Sequence, residues 1–157
     1  MRKILFICTG NTCRSPMAEG FFNDLARGEA PEWQASSAGL GACETPATAS
    51  CNAIAVARDY GVDISHHVPR QLDDALIGEA DVLLAMEGWQ KEAVADEFPQ
   101  ARDKVHTLLE FVGEQGNVGD PIGGSPDDYR ACSREIMQAI KGLVSNFDRA
   151  GKLSWQA

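Results

Sequence analysis

The feature that most constrains this fold is a short apolar run near the start of the chain, residues 4–7, which ends at Cys8. A continuous run of this length is typical of a strand that is buried on both faces. The following residues include Gly10 and Asn11, which tolerate tight turns, and Pro16, which can occupy the first turn of a helix. The sequence therefore predicts a strand, a tight loop and a helix.

The same alternation of strand-like and helix-like segments continues along the chain. Further strands are predicted at residues 33–38, 81–86 and 105–109. Helices are predicted at about residues 47–60, from the third strand to about residue 98, and over the apolar stripe of Ile136, Met137, Ile140, Leu143, Val144 and Phe147. This order predicts one α/β domain over residues 1–157, a three-layer sandwich with a four-stranded parallel sheet and helices on both faces. Ligands of such folds bind beyond the carboxyl ends of the strands, where Cys8 lies.

The net charge and the cysteine content indicate which binding partners and which cellular compartment to expect. The formal net charge of −9 disfavours nucleic acid and anionic membranes, because both are bound through Lys and Arg. No apolar stretch approaches the ~20 residues that span a bilayer, and the N-terminal run is too short for a signal peptide. The five cysteines lack zinc-like spacing. We expect a monomer in the reducing cytoplasm, with no metal and no cofactor.

The segment CTGNTCRS has the composition of an anion-binding loop. Six residues can direct backbone N–H groups at one anion: Thr9, Gly10, Asn11, Thr12, Cys13 and Arg14. The Arg14 guanidinium can grip two phosphate oxygens, and the Ser15 hydroxyl can donate to the Cys8 sulfur. These groups would stabilise a thiolate, so Cys8 is a candidate nucleophile. The alternative is that Cys8 is an ordinary strand residue and Arg14 a surface side chain.

Hydrolysis of a phosphate ester or phosphoramidate also needs a group that protonates the leaving group. A carboxylic acid on a loop could do this and then act as a base towards water. The longest loop, residues 113–128, contains Asp120 in an Asp-Pro pair. It also contains Asp127 and Asp128, which we interpret as the cap and first-turn charges of the last helix.

Several segments resemble the low-molecular-weight protein tyrosine phosphatase family, which includes bacterial protein-arginine phosphatases. They are FICTGNTCRSPMAE at 6–19, SAG at 37–39, HVPRQL at 67–72, DVLLAM at 81–86 and DP at 120–121. The resemblance implies that phosphorylated protein side chains are hydrolysed through a cysteinyl-phosphate on Cys8, with Asp120 as the general acid. Ser37 and His67 match family positions that hydrogen-bond the loop asparagine, here Asn11.

The residues expected around the substrate depart from the tyrosine phosphatases of this family. Those enzymes carry a bulky aliphatic residue where this chain has Thr12, and aromatic residues where it has Cys43 and Ile122. The wall of the substrate pocket is therefore predicted to be smaller and less aromatic than in those enzymes. This favours phosphoarginine as the substrate, and a tyrosine phosphatase with a relaxed pocket is the alternative.

Two other classes of protein are alternatives to a phosphatase. A thiol-based arsenate reductase needs redox cysteines near the third strand, and residues 79–92 contain none. A non-catalytic phosphate-binding module would lack the nucleophile or the acid, and this chain has Cys8 and Asp120. A cysteine-dependent phosphatase is the better interpretation.

The remaining cysteines and histidines are assigned by residue type, except for Cys13, which is assigned by its position in the loop. Cys13 shares the loop with Cys8, so oxidation could join the two in a disulfide that protects the nucleophile. Three thiols are predicted to be packing residues: Cys43, Cys51 and Cys132. Two histidines are predicted to have no role in the site: His66 and His106.

Overall fold

Four parallel strands form the centre of the protein. The computed structural model describes residues 1–42 and 48–147. The strands are β1 (Arg2–Cys8), β2 (Trp33–Gly39), β3 (Val82–Ala85) and β4 (Val105–Thr107). Their order across the sheet is β2-β1-β3-β4, and every neighbouring pair is parallel. The predicted four-stranded parallel α/β sheet is confirmed.

Strand β1 lies at the middle of the sheet and divides the apolar core in two. Ile4, Phe6 and Cys8 belong to one cluster of buried residues, whereas Leu5 and Ile7 belong to the other. Successive side chains of a strand point to opposite faces of the sheet. The uninterrupted apolar run near the N-terminus is therefore explained by a strand covered on both sides.

Helices cover both faces of this sheet. They are α1 (Arg14–Glu29), α2 (Cys51–Asp59), α3 (Asp74–Glu79), α4 (Gly88–Glu97), α5 (Leu108–Phe111) and α6 (Pro126–Ser145), with a 3₁₀ turn at Pro99–Ala101. Buried side chains of α1, α2, α5 and α6 share a cluster with Phe6, and those of α3 and α4 share the other cluster with Leu5. The three predicted layers are present. In the described part of the chain, no helix is both long and apolar enough to cross a membrane.

The start of the second helix differs from the prediction of residue 47. Helix α2 begins at Cys51, because the Ser50 side chain accepts a hydrogen bond from the Ala53 N–H and caps the helix. Residue 47 lies outside the described residues. The predicted end is correct, since Gly61 follows the helix with a φ of 76°.

The fourth strand is shorter than predicted, and the short helix α5 was not foreseen. Thr107 is the last residue of β4 and also the cap of α5. Its hydroxyl accepts a hydrogen bond from the Glu110 N–H, and the Glu110 side chain accepts one from the Thr107 N–H. The apolar residues Leu108 and Leu109, predicted to extend the strand, are buried as part of that helix. Helix α3, a single short segment, was also missed.

The cap of the last helix, Ser125, lies two residues before Asp127, the first of the two aspartates predicted as its cap and first-turn charges. Ser125 caps α6 and accepts from the Asp128 N–H, while the Asp128 carboxylate accepts from the Ser125 N–H. Asp127 pairs with Arg130 on the exposed side of the first turn. Both aspartates therefore serve the helix start, although the cap itself is Ser125.

The end of β2 approaches the loop after β1 very closely. Gly39 pairs with Cys8 in the sheet register, and its position leaves no room for a side chain. A Cβ on Gly39 would lie 2.6 Å from the Thr9 carbonyl oxygen and 3.0 Å from the Asn11 nitrogen. The glycine of the SAG segment is thus required by the path of that loop.

We therefore expect Gly39→Ala to push the loop away from its position. Overpacking of this kind costs typically ~1–3 kcal/mol, and the displaced loop should lower kcat/KM as well. The matched control is Gly28→Ala in α1, where a Cβ meets no atom within 4 Å. That change should be neutral or stabilise by up to ~1 kcal/mol. Urea unfolding and steady-state kinetics of both variants test this; equal behaviour would contradict it.

Candidate active site

The loop between β1 and α1, residues 9–13, folds back over the Cys8 sulfur. Asn11 adopts a left-handed conformation with φ of 56°, and it is the one non-glycine residue of the described chain with a positive φ. Its backbone N–H points at the Cys8 Sγ, 3.3 Å away. The Ser15 Oγ lies 2.8 Å from the same sulfur. The sulfur is thus held at the opening of the loop by two polar groups, next to the start of α1.

The buried side chain of Asn11 holds this loop in place. Its Nδ2 donates to the Ser15 Oγ at 2.8 Å and to the Ser37 Oγ at 2.9 Å. Its Oδ1 accepts from the Arg70 backbone N–H at 2.9 Å and lies 3.2 Å from the His67 Nε2. The structure therefore brings both predicted supporting residues, Ser37 and His67, onto the loop asparagine. The backbone contact from Arg70 was not foreseen.

Glu19 completes this network, and sequence reasoning missed it. The Ser37 hydroxyl donates to the Glu19 Oε2 at 2.5 Å, and the His67 Nδ1 lies 3.8 Å from the same oxygen. A signal was available, because Glu19 is four residues after Ser15 and so shares its face of α1. With Ser37 donating to Glu19, its oxygen is left to accept from Asn11, which sets the direction of the hydrogen-bond chain.

The Arg14 guanidinium is almost fully buried, with only 2% of the side chain exposed. Its NH1 donates to the Glu87 Oε2 and to the Val118 carbonyl oxygen, each at 2.8 Å. Its NH2 lies 3.5 Å from the Asp120 Oδ2. The site therefore places the predicted arginine and the predicted acid side by side. Glu87, which the sequence analysis did not select, is the stronger ion-pair partner.

The position of Asp120 follows from how its loop, residues 112–125, is anchored. The Val118 N–H donates to the carbonyl of Met86, just beyond β3, at 2.9 Å, and the Asn117 Oδ1 accepts from the Gly88 N–H at 2.7 Å. Two residues further on, the Asp120 Oδ1 accepts from the Ile122 N–H in a tight turn. The Asp120 side chain is 38% exposed. We call this segment the acid loop.

The start of α4 is tied to the same site by Gln90. This fully buried side chain accepts from the backbone N–H groups of Met86 and Glu87 and donates from Nε2 to the Thr9 Oγ1 at 3.1 Å. The sequence analysis selected neither Gln90 nor Glu87 as a site residue. Both follow the strand β3, whose carboxyl end meets that of β1, and this topology was the available signal.

Cys13 points towards α2 and α6. Its thiol donates to the Ser50 Oγ at 3.3 Å, and its Sγ lies 3.6 Å from the Tyr129 hydroxyl. Burial and this contact with Cys13 raise the pKa of Tyr129 to about 12, so the ring stays a neutral phenol. Formation of a disulfide with Cys8 would require the Cys13 sulfur to leave these partners, and that disulfide stays a prediction.

The other predicted residues are those tied to substrate choice and the cysteines predicted to pack in the core. Thr12 is partly exposed on the loop, and Ile122 is exposed on the acid loop beside Asp120. Cys43, the third residue tied to substrate choice, lies outside the described residues. Cys132 is a packing thiol as predicted, and burial raises its pKa to about 12. Cys51 is exposed at the start of α2, so the prediction of a packing role is wrong.

The two histidines that were excluded from the site lie apart from the hydrogen-bond network around Asn11. His66 is exposed, although it neighbours His67 in sequence. His106 sits beside the Phe111 ring, and burial lowers its pKa. In the part of the chain that is described, no group of three or more His, Cys, Asp or Glu side chains is arranged to hold a metal ion.

A thiol beside a tight strand-to-helix loop, a buried arginine and a nearby carboxylate form the arrangement of a cysteine-dependent phosphatase. Residues 3–153 match the family described as low molecular weight phosphotyrosine protein phosphatase. The chain belongs to this family. It is therefore a hydrolase that acts on phosphoproteins, in agreement with the resemblance seen in its sequence.

Relatives of this phosphatase carry two different substrate names. It is 37% identical to a protein-arginine-phosphatase from Bacillus subtilis, over 93% of this chain and 97% of the relative. It is 38% identical to EpsP, a probable low molecular weight protein-tyrosine-phosphatase from Ralstonia nicotianae, over 96% and 99% of the two chains. A solved YwlE arginine phosphatase, a mutant with a phosphorylated active-site serine, superposes with a TM-score of 0.88 at 36% identity, covering 96% and 99%.

We predict that Asn11→Asp weakens this phosphatase, because it replaces the Nδ2 donor by an oxygen that faces the Ser15 and Ser37 hydroxyls. A lost buried hydrogen bond costs ~1–3 kcal/mol, which corresponds to roughly 5- to 150-fold in kcat/KM. The control is Asn23→Asp, which removes a donor to the Ala35 carbonyl away from the site. That change should lower the unfolding free energy and leave kcat/KM unchanged. Similar kinetics for the two variants would exclude the role given to Asn11.

Proposed function

We propose that this phosphatase removes phosphate from arginine side chains of proteins through a cysteinyl-phosphate on Cys8. The observation that carries the choice of substrate is Thr12, a hydroxyl-bearing residue on the loop that would surround the phosphate. Ile122 adds to it, since the acid loop presents an aliphatic side chain beside Asp120 instead of an aromatic ring. The arginine-phosphatase names of the relatives from Bacillus subtilis and Geobacillus stearothermophilus support the same choice.

In the first step the phosphoryl group would occupy the loop, with its oxygens facing backbone N–H groups and the Arg14 guanidinium. Glu87 and the Val118 carbonyl accept hydrogen bonds from NH1 of that guanidinium, which fixes the orientation of the guanidinium plane. The Cys8 sulfur attacks phosphorus, and the bond from phosphorus to the guanidino nitrogen breaks. Asp120 donates a proton to that nitrogen, so the arginine side chain leaves intact.

In the second step a water molecule attacks the cysteinyl-phosphate. Asp120, now a carboxylate, accepts a proton from the water, and the sulfur–phosphorus bond breaks to release inorganic phosphate and the Cys8 thiolate. The Ser15 hydroxyl, 2.8 Å from the sulfur, can donate to the thiolate as it leaves. Each proton and bond of the cycle is accounted for by these residues and water.

A tyrosine phosphatase is the second candidate. It is favoured by the tyrosine-phosphatase relatives from Ralstonia and Staphylococcus aureus, which match this chain over 90% or more of its length. The catalytic steps would be the same, with a phenol oxygen in place of the guanidino nitrogen. The two candidates differ only in what Thr12, Ile122 and the other walls of the pocket accept.

The remaining expectations stay predictions of the same proposal. A cytoplasmic location, a monomeric state, the absence of nucleic-acid or membrane partners and protection by a Cys8–Cys13 disulfide are all consistent with it. None of them is needed for the catalytic steps.

The general acid is tested by Asp120→Asn. We expect a loss of about 10²–10⁴-fold on phosphoarginine peptides, since general acid catalysis is typically worth this much. Activated aryl phosphates, whose leaving groups need no proton, should be affected far less. Asp127→Asn is the matched control, because Asp127 lies on the exposed first turn of α6 and pairs with Arg130. A uniform loss on both classes of substrate would show that Asp120 only positions its loop.

The proposed substrate is tested by measuring kcat/KM for phosphoarginine and phosphotyrosine peptides of the same sequence. Wild type should prefer phosphoarginine. Thr12→Ile should reverse or reduce this preference by roughly 10–200-fold, the range for a fit or hydrogen bond worth ~1–3 kcal/mol. Thr12→Ser keeps the hydroxyl and should keep the preference. If wild type prefers phosphotyrosine, or if Thr12→Ile leaves the ratio unchanged, the tyrosine candidate replaces the arginine one.

A further inference from the structure

An exposed indole lies at the edge of the active site and has no part in the steps above. Trp89, in the first turn of α4, is 54% exposed. Exposed apolar side chains are common on protein surfaces, and exposure alone says nothing about function. What distinguishes Trp89 is its connection to the group that binds phosphate.

The indole and the site arginine share one oxygen atom. The Trp89 Nε1 donates to the Glu87 Oε2 at 3.2 Å, and the same Oε2 accepts from the Arg14 NH1 at 2.8 Å. The residues on either side are fixed as well, since the Gly88 N–H donates to the acid loop and the Gln90 side chain to Thr9. The Glu87 carboxylate therefore links the indole ring to the Arg14 guanidinium, and hydrogen bonds of the neighbouring residues hold the turn that carries the ring.

Arg14 has a carboxylate on each side, and each carboxylate is followed in sequence by an exposed apolar side chain. Glu87 lies against NH1 and Asp120 against NH2. Two residues after each of these carboxylates comes an exposed apolar side chain, Trp89 in one case and Ile122, at 68% exposure, in the other. Under the proposed function, we place the group attached to a phosphate on Arg14 next to these two exposed side chains.

We infer that Trp89 is a substrate-binding residue whose indole face stacks on the guanidinium of the phosphoarginine substrate. This inference rests on the proposed function. A guanidinium is flat and weakly hydrated, and it stacks readily on aromatic faces, best on tryptophan. The acid loop offers the aliphatic Ile122 on its side of Arg14. Trp89 thus supplies the aromatic contact that this loop lacks.

The test compares Trp89→Ala with Trp89→Phe, using free phosphoarginine as the substrate. Both changes remove the indole N–H that bonds to Glu87, and only the alanine removes the ring. We expect Trp89→Ala to lower kcat/KM by about 5- to 30-fold, mainly through KM, the range for a desolvated cation–π contact. Trp89→Phe should retain most of the activity.

Two controls separate a substrate contact from an indirect effect. Inorganic phosphate, which fills the loop without a side chain, should inhibit wild type and Trp89→Ala with the same Ki. Glu92→Ala, an exposed change on the same helix, should have no effect.

Equal losses for the alanine and phenylalanine variants, or a raised Ki for phosphate, would show that Trp89 acts through Glu87 and Arg14, and would overturn the inference. An unchanged kcat/KM in Trp89→Ala would also overturn it. Failure of the proposed function is seen separately, in wild type, as a preference for phosphotyrosine over phosphoarginine.

Discussion

The buried positive charge of Arg14 is the constraint on which the rest of the site depends. A charge removed from water is tolerated only when it is paired and hydrogen-bonded, and loss of one partner of such a pair typically costs ~3–5 kcal/mol. The partners of Arg14 come from two other parts of the chain: Glu87 at the start of α4, and Val118 and Asp120 on the acid loop. Compensation of this one charge therefore brings the start of α1, the start of α4 and the loop that carries Asp120 together.

The parts of the site that could be predicted from the residues alone are those held by neighbours in sequence, whereas Asp120, Ser37 and His67 were selected through the family resemblance. Cys8, Asn11 and Ser15 lie within one strand–loop–helix unit, so their types and spacing are enough to suggest an anion-binding loop. Glu87 could not be chosen in the same way, because its role exists only when β3 packs beside β1. The contact of Glu19 could be identified only with the knowledge that β2 places Ser37 next to it. Contacts between distant segments are set by the tertiary fold, and a single sequence shows them only indirectly.

The errors in the fold prediction have local causes of another kind. Apolar periodicity indicated strand or helix correctly in the long segments, but it cannot show where a cap ends one and begins the other. Thr107 ended the last strand early in this way, and Ser50 and Ser125 set the starts of two helices. Cys51 was predicted to be buried on residue type alone. It follows a cap directly, and that position places it at an exposed helix start.

The ion pair between Arg14 and Asp120 bears on how a turnover ends. One guanidinium faces two carboxylates here, Glu87 at NH1 and Asp120 at NH2. In the proposed cycle Asp120 accepts a proton from water as the intermediate is cleaved, so its ion pair with Arg14 re-forms only after that proton is lost. Release of phosphate and re-formation of the ion pair are therefore separate steps of the proposed cycle.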